Sequence, residues 1–329
     1  MIVIVHSPGQ LGNRLISFSH FIAFCMEHGH SVVNLSFDPY AQYFEGTYKS
    51  RLCSYPTNSL FERLVMPASW FINAGNDTDS RQKLRRAFAR LTWMAYRTSA
   101  RVAHQRLVRP LNDEGYTRLW DMSAPDFVDL AERSHILVVC GWLFRDHSAL
   151  QKHARAIRPL FTPISSHRSR VDAAIAQARA NADLLVGVHI RRGDYRTFRG
   201  GRFFFEFDQY ADLMRKVSST LGHQKRVAFL ICSDESIPMD RFCGMNTFLG
   251  SGHVIEDMYS LAKCDLLMGP QSTFSAWASF YGSVPLYVIE HPQEEPRPES
   301  FRPFHEAWSN SLHDALHVST EGEPDWWLI

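Results

Sequence analysis

Four polar residues crowd behind one apolar run. They are His189, Arg191, Arg192 and Asp194, within VGVHIRRGDY from Val186 to Tyr195. Leu184 to Ile190 predicts a short buried strand, so the four are delivered to its carboxyl end, where open α/β sheets bind ligands. Two adjacent arginines there invite an anion, because a guanidinium grips phosphate through a planar fork. An aspartate three residues after Arg191 can hold one guanidinium and leave the other for ligand. Gly193-Asp194 also suits a plain solvated turn. The string alone leaves both readings open.

Three other stretches could carry chemistry. In SPGQLGNR (Ser7–Arg14), Gly9 and Gly12 let the backbone approach a ligand. The helix opening at Asn13 offers free N–H groups to an anion. A plain strand-to-helix turn is the alternative, and the Lys-Ser/Thr pair of a Walker loop is missing. In Gly269 to Ser275 an apolar strand, DLLMG, runs into a helix near Ser272. Ser272 is explained as an N-cap. The functional reading adds a phosphate at that helix N-terminus beside Thr273, facing Arg191 across the sheet end. Ile231 to Glu235 ends a strand in two carboxylates, which could bind metal or ribose, although an Asp N-cap for a short helix explains them more simply. No D-x-D with flanking strand signals is present, so no metal site is expected.

These residues need a scaffold, and the elements around them alternate. Strands are expected over 2–5, 31–35, 135–144, 184–190, 226–232, 246–249, 265–268 and 284–289. Helices are expected over 13–28, 148–160, 170–182, 208–221, 256–263 and 273–281. The first helix carries Leu15, Phe18, Ile22 and Met26 at helical spacing and stops at Gly29. Alternation argues a parallel sheet. Residues 40–80 read as irregular. Thr162-Pro163 and the polar SSHRSR behind it read as a linker between domains 1–163 and 164–329. The terminal EPDWWLI is expected to pack its tryptophan pair on the body. Arg81 to Arg109 contains nine Lys/Arg and no acid. Leu84, Phe88, Leu91 and Met94 share a helical stripe there, giving either a peripheral membrane contact or a packed helix with a solvated basic face.

Composition narrows the classes. The chain has 329 residues, 45% apolar and 21% charged, with net charge +1. That fits a soluble globular protein with a real core and no global field for nucleic acid. Six cysteines without a C-x-x-C pair read as thiols of a reducing compartment. MIVIVHSPG reads as a first strand rather than a signal peptide. No uninterrupted apolar window of about 18 residues is present, so neither a membrane span nor a Golgi-type anchor is expected. The expected location is cytoplasmic, with peripheral attachment to the inner face of a membrane through 81–109 as an option.

Taken together, the motifs resemble the α1,2-fucosyltransferases and the wider group of fucosyltransferases that use GDP-fucose. The family's G-G-L-G-N-Q loop corresponds to Gly9 to Arg14, and its H-x-R-R-G-D-Y to His189 to Tyr195, intact. Its N-S-S/T-F-S-W-W corresponds to Gln271 to Trp277, with Gln271 and Ala276 as departures, and Gly141-Trp142 is similar to its G-Y-W-Q segment. The insert RTFRGGRFFFEF after the central motif is unlike the typical α1,2 sequence.

The resemblance implies an α/β fold of two Rossmann-like domains facing a cleft, the GT-B architecture. It implies an inverting, metal-independent hexosyltransferase of the galactoside α1,2-fucosyltransferase type, moving fucose from GDP-fucose to a glycan. No cofactor beyond that donor is implied, and no nucleic-acid partner. Arg191 would bind the β-phosphate, Arg192 and Asp194 would shape the site, and His189 would lie near the ribose. Ser272, Thr273 and Phe274 would add donor contacts. Gly250 and Ser251, in the loop Leu249 to His253, are placed for guanine. Gly9, Gly12 and Asn13 complete the implied nucleotide-binding set. Glu206 and Asp194 are the candidate general bases. Another GDP-sugar, or a non-catalytic carbohydrate-binding homologue, are the alternatives.

Overall fold

The computed structural model describes residues 1–48, 50, 52–57, 83, 87, 90, 91, 94, 108–113, 118–222 and 225–307. The expected basic helix over 81–109 and the EPDWWLI terminus lie largely or wholly outside them. Lys83, Ala87, Arg90, Leu91 and Met94 are helical and exposed. Two compact units form, one built on Met1–Ile164 and the other on Ser165–Thr320.

The first unit runs β1 (Ile2–His6), α1 (Leu11–His28), β2 (Val32–Asn34), a 3-10 stretch (Leu35–Tyr43) and α2 (Glu45–Tyr48). It continues through β3 (Ser54–Tyr55), β4 (Val108–Asn112), β5 (Trp120–Asp121), α3 (Pro125–Arg133), β6 (Ile136–Cys140), β7 (Phe144–Arg145) and α4 (His147–Ile157). Its main sheet has the order β3-β2-β1-β6-β4. All pairings are parallel except β2 with β3. The runs IVIV and ILVV are apolar throughout because both faces of such a sheet are covered. Leu15, Phe18 and Ile22 are buried as expected, but α1 is buried on nearly every side from Leu15 to Cys25. It lies between the sheet and α4. Gly29 at φ 68 ends it, its N–H donating to the Cys25 carbonyl.

Several boundaries differ from expectation. The region 40–80, expected to be irregular, holds the end of the 3-10 stretch, α2 and β3. The strand expected over 135–144 stops at Cys140, because Gly141 turns the chain at φ +127. Phe144 and Arg145 then pair separately with β5. Arg109, expected in the basic helix, lies in β4. That strand pairs with β6 along one side only among the described residues, an edge position that tolerates Pro110.

The second unit begins with α5 (Ser165–Arg179), so SSHRSR is a helical start and not a linker. Its polarity reflects a helix with most of its first turns facing solvent. The unit continues β8 (Leu184–Ile190), α6 (Phe207–Leu221), β9 (Val227–Ser233), β10 (Thr247–Leu249) and α7 (Val254–Leu261). It ends with β11 (Leu266–Pro270), α8 (Thr273–Gly282) and β12 (Leu286–Ile289). The sheet order is β10-β9-β8-β11-β12, parallel throughout. Val186, Val188 and Ile190 meet Phe229, Ile231 and Met268 in its core. The chain enters at the middle strand, moves to one side, then crosses to the other. That doubly wound order has a topological switch between β8 and β11, where loops part and leave a crevice for ligand. The first unit has a corresponding switch between β1 and β6.

Candidate functional site

Parallel pairing sends every loop that follows a strand of the second unit to one sheet edge. At the switch, Arg191 leaves β8 and Ser272 leaves β11. Asp194 grips Arg191 with both oxygens, accepting from Nε at 2.9 Å and Nη2 at 2.6 Å. Nη1 points to the Ser272 hydroxyl at 3.4 Å, and the guanidinium carbon stands 4.6 Å from the Tyr195 ring centroid. A guanidinium has five N–H groups. Asp194 and Ser272 account for three, so two remain for a ligand. Burial, the largest single cause, works against the charge, but Asp194, Tyr195 and Asp234 together outweigh it and raise the Arg191 pKa. The expected aspartate clamp is therefore present, on Arg191.

Arg192 is not the free partner of the pair. Its side chain is 6% exposed, against 23% for that of Arg191. Its Nη1 donates to Glu206 at 2.6 Å and to the Phe205 carbonyl at 3.3 Å, and its Nε donates to Glu235 at 3.2 Å. Phe207 and Phe204 flank the guanidinium, at 4.0 and 4.7 Å. A guanidinium enclosed in this way braces the loop. Glu206 is drawn into the brace, and it also caps α6 in a reciprocal box with Gln209. A carboxylate with two structural duties is poorly placed to take a proton from substrate.

Asp234 and Glu235 were underread in the sequence. No helix directly follows them for an N-cap. The register pairs Ile190 with Ser233, so the residues beyond each strand are neighbours. Asp234 accepts the backbone N–H of Arg192 at 3.0 Å and of Gly193 at 3.2 Å. Glu235 holds Arg192 and, at 3.4 Å, Arg196. Two adjacent strands, each ending in a polar burst, were the available signal.

Ser272 is the N-cap of α8, its hydroxyl accepting from the Phe274 N–H at 3.2 Å. Thr273 opens the helix. Tyr195 donates to the Gln271 carbonyl at 2.6 Å, tying the loops after β8 and β11 together. His189 lies beneath this edge, buried and stacked on Phe274 at 4.8 Å. Burial, with Arg191 beside it, pushes His189 down to about 3, so the ring is neutral. A buried neutral ring is stacked against Phe274 just below the loop edge.

The loop after β10 contains no acid, yet one reaches it from α7. Asp257 accepts the Ser251 hydroxyl at 3.3 Å and the Gly252 N–H at 3.2 Å. A side chain at Gly250 would collide with the Asp257 carboxylate and Cys232. Burial raises the Asp257 pKa. Among the described residues, His167, His253 and Glu256 stand close enough to share a cation. The guanidinium of Arg170 already occupies the Glu256 carboxylate, which opposes a second positive charge.

In the first unit Gly9, Gly12 and Asn13 gather at the start of α1. Gly9 adopts φ +78 with the Asn13 side chain pressed against it, so any Cβ there would clash. Arg14 closes the loop, donating to the Gly9 carbonyl at 3.0 Å and to the Ser36 carbonyl. Gly12 is buried within the first turn. Across the β1–β6 switch, Asp113 accepts the Trp142 N–H at 2.9 Å and the Leu143 N–H at 3.2 Å. Gly141 is required there, because a Cβ would meet that carboxylate.

Two α/β units, one with a parallel sheet and one with a sheet parallel but for its β3 edge, each with a ligand-type switch point, match the GT-B class of fold. Residues 164–308 match the family model Glycosyl transferase family 11. A search of curated proteins finds no match by sequence. Solved structures do resemble the chain. The fucosyltransferase NodZ from Bradyrhizobium is 17% identical with TM-score 0.52, covering 89% of this chain and 96% of its own. NodZ α-1,6-fucosyltransferase soaked with GDP-fucose is 18% identical with TM-score 0.50, covering 89% and 97%. A mutant of Arabidopsis thaliana FUT1 in complex with GDP is 14% identical with TM-score 0.50, covering 91% and 73%. At such identity these likenesses establish the fold, that of GT-B fucosyltransferases.

Proposed function

We propose that this protein transfers fucose from GDP-fucose to a hydroxyl group of a glycan. The observation that carries the reading is the Arg191 guanidinium, pinned by Asp194 beside the Ser272 N-cap at a switch point. The matched family segment spans the same unit. An acceptor oxygen attacks the anomeric carbon, the bond from that carbon to the β-phosphate oxygen breaks, and GDP leaves with the electron pair. Negative charge grows on the β-phosphate during that step. The two spare N–H groups of Arg191 and the open N–H groups of α8 face such charge and stabilise the transition state more than the ground state. Attack from the face opposite the leaving group inverts the anomeric centre. The acceptor proton passes to solvent or a base as the new bond forms.

Arginine and a helix N-terminus hold a diphosphate without Mg²⁺ in this reading, so activity persists in EDTA. Loss on chelation with recovery by Mn²⁺ would refute that part. The intact His189 to Tyr195 motif supports a galactoside α1,2 product, which linkage analysis of the product tests. The primary test is thermal: GDP stabilises the protein and UDP does not, and GDP-fucose is consumed in preference to GDP-mannose. No shift with any nucleotide would favour a non-catalytic carbohydrate binder. The exposed Leu91 and Met94, within the basic stretch, support peripheral contact with anionic lipid on a cytoplasmic membrane face. Co-sedimentation with anionic but not neutral vesicles, reversed by salt, tests it. No helix among the described residues is long and apolar enough to cross a membrane.

A further inference from the structure

A doubly wound sheet is weakly tied at its switch, because the loops there leave in different directions. The β8–β11 register ends at the pair Val188 and Met268, and among the described residues no ladder pairing holds the two chains together beyond it. Arg191 and Ser272 both lie past that pair. Their own bond is long, at 3.4 Å. A diphosphate held between them needs a fixed gap, so a second tie is required.

Tyr195 supplies it. Its hydroxyl donates to the Gln271 carbonyl at 2.6 Å, one residue before the Ser272 N-cap. Its ring centroid stands 4.6 Å from the Arg191 guanidinium carbon. One side chain thus meets both halves of the anion cradle. Burial, the largest cause, raises the Tyr195 pKa against the pull of Arg191 and the Ser272 hydroxyl, so the phenol keeps its proton and stays a donor. At 5% exposure the residue works through its neighbours rather than by touching a nucleotide. Its own loop braces it. Phe198 stacks on the ring at 5.4 Å, Phe203 meets it at 6.1 Å, and these two phenylalanines meet at 6.3 Å. They belong to the connection from β8 to α6, residues 191–206, where such links usually run about 2–6 residues. The extra length folds into an aromatic seat for the tyrosine.

We infer that Tyr195 is a positioning residue whose bond to the Gln271 carbonyl fixes the gap between the Arg191 guanidinium and the N-terminus of α8, across which the β-phosphate is held. The inference rests on the transferase reading above and deepens it. Without the hydroxyl, Arg191 and the α8 N–H groups are all still present, but the ligand itself has to draw the loops together. That ordering cost falls on a nucleotide with a β-phosphate and not on one without it. It is felt most where charge on that phosphate is greatest, in the transition state and in released GDP.

Tyr195→Phe removes the tie and keeps the ring packing, so circular dichroism should show a native spectrum. Titration calorimetry with GDP and GMP reads the gap. GDP affinity is expected to fall about tenfold, with GMP affinity within about twofold of wild type. For GDP-fucose, kcat should fall about tenfold with KM within about twofold. Tyr287→Phe is the matched control: Tyr287 is buried in the same sheet and its hydroxyl has no hydrogen-bond partner, so its loss should leave the preference for GDP over GMP intact. A preference that survives in Tyr195→Phe, an equal loss of GDP and GMP affinity there, or the same loss of preference in Tyr287→Phe would overturn the inference. Wild-type protein that binds neither nucleotide would remove the tie and the transferase reading together. If the preference responds as expected but GDP-fucose is not consumed, the transferase reading falls alone and Tyr195 stands as the positioning residue of a diphosphate site.

Discussion

The two switch points share one construction and differ in charge. In each unit a carboxylate beyond the neighbouring strand braces the loop by taking two successive backbone N–H groups. Asp113, after β4, holds Trp142 and Leu143 after β6. Asp234, after β9, holds Arg192 and Gly193 after β8. The arginines diverge. In the second unit Arg191 and Arg192 are met by the carboxylates of Asp194, Glu206 and Glu235. In the first unit Arg145 donates to the carbonyls of Trp142 and Phe144, and burial, opposed by Asp113, lowers it to about 9. The brace is thus a backbone device, independent of what the loop presents. Carboxylates fix the orientation of a cation for a ligand, whereas carbonyls fold an arginine into the wall.

The sharpest break in that comparison is Arg191→Ala. Losing one charge-assisted contact to the departing diphosphate is expected to cost about 3 kcal/mol, roughly a hundredfold in turnover. The fold should persist, as read by circular dichroism. Arg191→Lys should fail as well, because an ammonium cannot meet Asp194 and phosphate with one fork. Near-normal turnover in either variant would take Arg191 out of the mechanism.

Arg192→Ala should behave differently. Its guanidinium is buried among carboxylates and rings, so the loss falls on folding, at about 2 kcal/mol in urea denaturation. The effect stays moderate because Glu206, with 62% of its side chain exposed, can return to water. A variant of unchanged stability that no longer binds GDP would return Arg192 to the ligand site.

The braces themselves can be set against each other. Asp234→Ala and Asp113→Ala each strand two backbone donors, and each should cost about 1–2 kcal/mol of stability. Only Asp234→Ala should also weaken GDP binding, since only that loop carries Arg191. Equal loss of GDP affinity in both variants would mean that the two edges are not separate in function.

Much of this edge was legible in the sequence. Strand and helix alternation gave the parallel sheets, because a doubly covered sheet must be apolar along its strands. The Arg191–Asp194 clamp followed from a spacing of three residues. Local spacing could not reveal partners from other strands. Glu235 and Glu206 reach Arg192 only once β8, β9 and α6 are packed, so the spacing alone left open which arginine is held and which is free. For the same reason Asp257 was missed: it serves the loop after β10 from within a helix. Ser165 to Arg170 read as a linker because a solvent-facing helical turn and a linker share a composition. β4 escaped because its sequence, VRPLN, pairs a proline with a charge, which only an edge position accommodates.

His189 gives a pH test confined to the second unit. Its ordinary pKa of 6.5 falls to about 3 in the folded protein, chiefly through burial and then through Arg191. Between those values the unfolded chain binds more protons, so this group's stability contribution is complete above about pH 6.5 and is lost as pH falls toward 3. The slope is at most about 1.4 kcal/mol per pH unit. His189→Phe keeps a ring against Phe274 and should flatten the profile in that window. An unchanged slope would show that the imidazole is not held neutral.

The smallest effect is expected at Glu206, which the sequence offered as a general base. Glu206→Gln keeps an oxygen to cap α6 and loses only the charge facing Arg192. Glu235 still holds that arginine at 3.2 Å. A general base typically contributes about a hundredfold or more to the rate, whereas removing a half-exposed ion pair costs about 0–1 kcal/mol of stability. Turnover within about threefold of wild type, with an unshifted pH–rate profile, would confirm Glu206 as part of the brace. A hundredfold fall together with loss of the acidic limb of that profile would make it the base. The comparison between a carboxylate-caged arginine edge and a carbonyl-bound one would then need a catalytic carboxylate on the caged side.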